Sequence, residues 1–240
     1  MNAAPLKVLS SMATRAVLAE LASAYERATG RPVETEAAGG LDVVKRIRAG
    51  ETVDVVVLAS DVIDALIGEG RLLAGSRVDL VRSPIAEAVR AGAPQPDIGD
   101  EEAVKRAVVA AKSLSYSTGP SGRYLEKTFE RWGVLDAIRP RIVVPPPGTP
   151  VASLVADGSA ELGFQQLSEL IGRDDIAVLG LLPAELQSVT IFSGGVGARA
   201  AVGSAHAAPT PPEKIVTLCN SAGSRPSTAM SSRPISSLSC

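Results

Sequence analysis

VDVVVLASDVIDALIGEGRL, residues 53–72, decides the fold. Its first half, VDVVVLAS (53–60), is a run of Val and Leu, which suits a strand of a parallel sheet buried on both faces. Its second half, DVIDALIGEGRL (61–72), reads as a helix. The same rhythm runs ahead of it. LKVLSS (6–11) is a short apolar strand. ATRAVLAELASAYERATG (13–30) sets Val17, Leu18, Leu21, Ala22, Tyr25 and Ala28 at helical spacing and stops at Gly30. RPVETEAA (31–38) alternates as a strand does, and GGLDVVKRIRAG (39–50) is a helix opened by glycine. Strand and helix in strict alternation predict an α/β domain with a parallel sheet.

The pattern changes at SRVDLVRSPIAEAVRAGAP (76–94). Two extended runs meet at Ser83-Pro84, and the residue before a proline is biased to extended backbone. This segment reads as a crossover to a second lobe. There, DIGDEEAVKRAVVAAKS (97–113) is a capped helix, SLSYS a strand, and TGPSGRYLEKTFERWG a helix. Residues 139–170 give a strand, a Pro-rich loop, a helix and a strand ending at Phe164 or Gln165. Residues 176–200 are strand-rich and cross back. The expected architecture is therefore two lobes, 1–82 plus 192–218 and 83–191, each a mostly parallel sheet flanked by helices, with the two crossovers as hinge. Residues 219–240 are rich in Ser, Pro and Gly, without apolar period, and read as a disordered, out-of-frame tail where a docked helix is expected. Cys219 and Cys240 belong to this tail and carry no redox inference.

Composition narrows the function classes. The 240 residues are 45% hydrophobic and 21% charged, enough for one large core or two modest ones. A formal net charge of −2 supplies no basic excess for nucleic acid. Aromatics make up 3%, so base- or sugar-stacking platforms are not expected. There is no CxxC or HExxH, and the single His206 sits in a loop-like AHAAP, so neither a metal nor a cofactor is expected. No apolar run is long enough to span a membrane. MNAAPLKVLSS does not read as a leader, so a periplasmic location requires that one has been removed, and a cytoplasmic one follows otherwise.

Ligands of open α/β sheets bind beyond the carboxyl ends of the strands. Here those ends carry small or hydroxyl residues followed by helix starts. In the first half these are Ser10-Ser11, Gly39-Gly40 and Ala59-Ser60. In the second they are Ser117-Thr118 with Ser121-Gly122, Thr149-Pro150-Val151, and Gln165-Gln166 with Ser168. Helix N-termini add unpaired N–H groups and partial positive charge. Together they form an oxyanion receptor. Singly, Ser11 and Ser121 read as helix caps and Gly39-Gly40 as a turn. Arg15 and Arg123 stand in the first turns of helices, the end that disfavours a cation unless an anion is present. Both can grip a carboxylate bidentately, with Arg82 beside the crossover a weaker candidate. Lys45, Arg46 and Arg48 read as a solvated helix face.

With these motifs in place, the chain resembles the molybdate-binding family of type II periplasmic solute-binding proteins over roughly residues 6–218. The resemblance rests on LKVLSSMATRAVLAELASAYERATG, VDVVVLASDVIDALIGEGRL, GPSGRYLEKTFERWG and PVASLVADGSAELGFQQLSEL with LPAELQ. It implies a two-lobed type II fold, a small anion in the cleft, an ABC permease as partner and a monomeric chain. Carried over residue by residue, the family's first serine falls on Ala13, within Met12–Thr14, and its second on the Ala38-Gly39 region. Its backbone donors fall on Ser121 and Val151, beside Pro150, and its late tyrosine on Gln166. Two hydroxyls and the tyrosine are thus replaced, while Arg15 and Arg123 are added. That departure favours an organic di- or tricarboxylate over molybdate. The same family is similar to bacterial isomerases such as aconitate isomerase, which gives the alternative to uptake: a shift of the double bond in an unsaturated polycarboxylate. Glu36, Asp61 and Glu169 are the candidate bases and Tyr124 a candidate acid. Asp61 reads more simply as a helix cap and Glu169 as a solvated face.

Overall fold

A computed structural model describes residues 4–199 except 147. The expectations for His206, Cys219, Cys240 and the 219–240 tail lie outside the described residues. The chain divides into two compact units. Unit 1 runs up to Arg82 and resumes at Ile191, and unit 2 is Ser83–Thr190. In chain order the strands and helices are β1 (Leu6–Ser11), α1 (Arg15–Thr29), β2 (Val33–Ala38), α2 (Gly40–Arg48), β3 (Val55–Ala59), α3 (Ser60–Gly68) and β4 (Val78–Arg90). Then come α4 (Glu101–Ala110), β5 (Leu114–Tyr116), α5 (Pro120–Arg131), α6 (Leu135–Ile138), α7 (Val151–Ala156), β6 (Leu162–Gln166), α8 (Leu167–Leu170), β7 (Ile176–Leu181) and β8 (Val189–Val196).

In unit 1, β1 pairs parallel with β2 and β3, and β3 pairs antiparallel with the end of β8. The unbroken Val/Leu run of β3 is explained by cover on both faces. Val55 and Val57 pack with Leu18, Leu21 and Tyr25 of α1. Val56 and Leu58 pack with Val43 and Ile47 of α2 and Ile63 and Leu66 of α3. Successive strand residues point to opposite faces, so both registers must be apolar.

In unit 2, β5 pairs parallel with β6, while β4 pairs antiparallel with both β6 and β7. Ile85 and Val89 share a cluster with α4, α5 and α6, including Phe129 and Phe164. Ala86 and Ala88 meet Val151, Ala152 and Val155 of α7 and Leu170 of α8. Gly163 lets α7 approach β6, because a Cβ there would lie 2.3 Å from Val155 Cγ2.

Several local expectations differ from what is found. The two extended runs around Ser83-Pro84 are one strand, β4. Its pairing registers with β6 and β7 begin at Ile85 and Ala86, just past Pro84, which has no N–H to give a ladder. IVV (142–144) forms no strand. It follows a 3-10 turn over Arg139–Arg141 and makes one bridge, Leu114 to Ile142, between flanking prolines. The helix expected over 61–72 ends at Gly68, followed by Gly70 at φ 67°.

Candidate functional site

Unit 1 contributes the end of β1 and the start of α1. Ser10 is buried, and its hydroxyl donates to the Glu36 carbonyl at 3.4 Å. Ser11 precedes a 3-10 turn over Met12–Thr14 but makes no capping hydrogen bond. Its Oγ is buried without a partner among the described residues, so the cap expectation is corrected. Thr14 is fully buried and donates to the Ser11 carbonyl at 3.1 Å. Ala13 is also buried, where the resemblance placed a serine. Arg15, the first residue of α1, is exposed and makes no ion pair among the described residues. Gly39 caps α2 through its backbone, its carbonyl accepting from the N–H groups of Asp42 and Val43. Gly40 opens that helix, and Ser60 opens α3 with Ala59 at the cap position. Asp61 is therefore a first-turn acid and not the cap. Arg82 is exposed on β4.

Unit 2 contributes the loop that follows β5. Ser117 Oγ and Ser121 Oγ lie 2.9 Å apart, and Ser117 Oγ accepts from the Gly119 N–H at 3.3 Å. Ser121 lies inside the first turn of α5, whose cap position is Gly119, so it too is no cap. Gly122 explains how this turn seats against the strand. A Cβ there would fall 1.5 Å from the Ser117 carbonyl oxygen, a contact only glycine permits.

Beside that turn an open depression of about 320 Å³ is lined by Tyr116, Ser117, Thr118, Gly122, Arg123, Glu126, Arg139, Ile142 and Val144. Ser117, Thr118, Gly122 and Arg123 were expected from sequence; the others were not. Arg123 makes no ion pair among the described residues, and Arg139 has only an exposed one with Asp136 at 3.4 Å. The Tyr116 hydroxyl donates to Glu126 Oε1 at 3.1 Å. Burial pushes that hydroxyl well above its ordinary range, and the Glu126 carboxylate adds to the shift. Two cations and one carboxylate leave the depression with net positive charge. Tyr124, the candidate acid, is absent from it; its ring packs against the apolar cluster of unit 2.

A second group gathers where β6 meets α7 and α8. Gln165 is buried, accepts from the Ala152 N–H through Oε1 at 3.2 Å, and donates through Nε2 to Glu169 Oε2 at 2.5 Å. Burial raises the Glu169 carboxyl to about 7, against the opposing effect of the Gln165 bond. The solvated-face expectation for Glu169 is thus corrected; it follows Gln165 by four positions and folds back onto it. Gln166 donates to Thr190 Oγ1 at 2.7 Å, and its Oε1 is buried without a partner among the described residues. Val151 starts α7 after Pro150, with its side chain fully buried in the core. Ser168 Oγ and Ser83 Oγ lie 3.2 Å apart.

The other two candidate bases belong to unit 1. Glu36 is exposed and held by both terminal nitrogens of Arg46, with Nη2 to Oε2 at 2.9 Å, which lowers its carboxyl. Arg46 also binds Glu51, and Arg48 binds Glu69. That helix face therefore forms ion pairs, where sequence suggested bare solvation. Asp61 is exposed. Among the described residues no helix is long and apolar enough to cross a membrane, and no group of three His, Cys, Asp or Glu could hold a metal ion.

Known proteins place this geometry. The profile of the family described as bacterial extracellular solute-binding protein matches residues 6–208. Aconitate isomerase from Pseudomonas sp is 39% identical over 199 residues, 80% of this chain and 75% of that protein. The periplasmic molybdate-binding protein of Azotobacter vinelandii is 21% identical with a TM-score of 0.68, over 91% of this chain and 97% of that one. The tungstate-binding protein TupA of Desulfovibrio alaskensis G20 is 13% identical with a TM-score of 0.58, over 92% of this chain and 90% of that one. These two structures share the two-lobed type II periplasmic-binding fold that the resemblance implied. The chain belongs to the bacterial extracellular solute-binding protein family.

Proposed function

We propose that this protein binds a small di- or tricarboxylate and shifts the double bond of an unsaturated one such as aconitate. The observation that carries the reading is the depression of unit 2, where Arg123 and Arg139 stand beside the hydroxyls of Ser117 and Thr118. Its volume of about 320 Å³ suits a six-carbon polyanion. Guanidinium forks match carboxylate geometry, and each is worth about 1.5–3 kcal/mol per charged hydrogen bond. The relative at 39% identity is an aconitate isomerase, which supports this chemistry over oxyanion capture. The family itself supports a second reading, in which the protein delivers a carboxylate to an ABC permease without changing it.

A melting series with cis-aconitate, trans-aconitate, citrate, molybdate and sulfate tests the reading. A ligand at ten times its Kd adds about 1.4 kcal/mol and raises Tm by roughly 3 °C. The expected result is a shift with the tricarboxylates and none with molybdate or sulfate. A shift with molybdate alone returns the protein to oxyanion binding.

A further inference from the structure

We infer that Glu126 decides which anions the depression of unit 2 admits: its carboxylate turns away compact oxyanions such as sulfate and molybdate and tolerates polycarboxylates. The inference rests on the carboxylate reading above and adds the residue that rejects the competing ligand class.

An anion site is built from donors, yet this one includes an acid. Glu126 stands on α5 three residues after Arg123 and lines the same depression as Arg123 and Arg139. Opposite charges at that spacing on a helix lie within reach of each other. Here they do not meet: among the described residues Arg123 makes no ion pair, and Arg139 pairs with Asp136. Both guanidinium groups and the carboxylate are therefore presented to whatever enters.

The carboxylate is also held in place. The Tyr116 hydroxyl donates to Glu126 Oε1 at 3.1 Å. Tyr116 ends β5, is buried, and packs edge-on against Phe129 with ring centroids 5.8 Å apart. Its ring is thus fixed by the core of unit 2, and the single phenolic proton is committed to Oε1. Tyr116 is a positioning residue. Glu126 Oε2 has no hydrogen bond among the described residues and is left to meet the ligand.

What a ligand turns toward that oxygen decides its admission. A carboxylate oxygen only accepts hydrogen bonds. Sulfate and molybdate carry acceptors at every corner, so either of them, drawn in by the arginines, sets acceptor and like charge against Glu126. A polycarboxylate carries its charges on the branches of a carbon skeleton. It can bring carboxylates to Arg123 and Arg139 while a carbon–hydrogen edge faces Glu126, and Ile142 and Val144 give the skeleton an apolar wall. Arginine attracts both ligand classes, so discrimination has to come from a repulsive element, and Glu126 supplies it.

Calorimetric titration of the full chain with sulfate, molybdate and trans-aconitate tests the inference in the wild type, Glu126→Gln and Glu126→Ala, with Tm recorded for each. Glutamine replaces an acceptor by an amide donor at nearly the same size. Glu126→Gln should gain at least tenfold in affinity for both oxyanions and only about two- to fivefold for trans-aconitate. Glu126→Ala removes the charge without adding a donor and should admit the oxyanions more weakly than Glu126→Gln. A purely structural role would move all three ligands together, so the ratio of oxyanion to trans-aconitate affinity is the deciding quantity. If that ratio stays within about twofold of the wild type in both variants, Glu126 is not the selector, although the carboxylate reading stands. A wild type that binds sulfate or molybdate within threefold of trans-aconitate also overturns the inference. A wild type that does not bind trans-aconitate removes the carboxylate reading itself, and with it this role.

Discussion

Replacing Glu87 by glutamine should remove most of the alkaline instability of unit 2. Glu87 lies on β4 between Ile85 and Val89, fully buried, with both carboxylate oxygens lacking a partner among the described residues. Burial alone raises its carboxyl from 4.5 to about 8. The folded chain therefore holds this proton more tightly than the unfolded chain does. The sign follows: the associated stability is full below pH 4.5, declines as pH rises, and is gone above about 8. At 1.36 kcal/mol per pH unit, the loss across that window is about 5 kcal/mol. That is comparable with the whole stability of a typical domain, about 5–15 kcal/mol. Glu169 contributes in the same direction up to about pH 7, so the interval from 7 to 8 isolates Glu87. Glu87→Gln stays neutral throughout. It should match the wild type within about 1 kcal/mol at pH 5 and exceed it by several kcal/mol at pH 9. Urea unfolding read by the fluorescence of the single Trp reports on this unit, since Trp132 packs on Phe129 with ring centroids 5.6 Å apart. A wild-type midpoint that stays level from pH 5 to 9, or a variant with the same slope as the wild type, refutes the reasoning.

Three further outcomes are expected. Gly122→Ala forces a Cβ to within 1.5 Å of the Ser117 carbonyl, so it should cost about 2–4 kcal/mol in urea unfolding and weaken tricarboxylate binding as the turn moves away. Arg139→Ala should raise the calorimetric Kd for trans-aconitate about 10–100-fold with Tm unchanged, because its one ion pair is exposed. Gln165→Leu removes the bond that opposes the burial of Glu169, so the Glu169 carboxyl should titrate above about 7 by carbon-13 NMR.

Much of the fold was legible because each sheet residue answers to cover on a known face. The Val/Leu run of β3 could only be a doubly covered strand, and Gly30 stops α1 in a left-handed conformation, φ 68°. What escaped depended on neighbours distant in sequence. IVV (142–144) has strand composition, but the prolines on either side leave it a single bridge. Thr118, Gly122 and Arg123 were visible as donors at a helix start. Arg139 was not, because the turn after α6 brings it to the same depression. Glu169 looked like a surface residue because hydropathy cannot register Gln165 folding over it, and Ser11 looked like a cap because a buried, unpartnered hydroxyl has no sequence signature.

Calorimetric titration of the wild type with trans-aconitate, followed by the same titration in excess molybdate, tests the carboxylate assignment most directly. The expected result is saturable one-to-one binding of trans-aconitate that molybdate does not displace. Tight molybdate binding with no heat from trans-aconitate contradicts it.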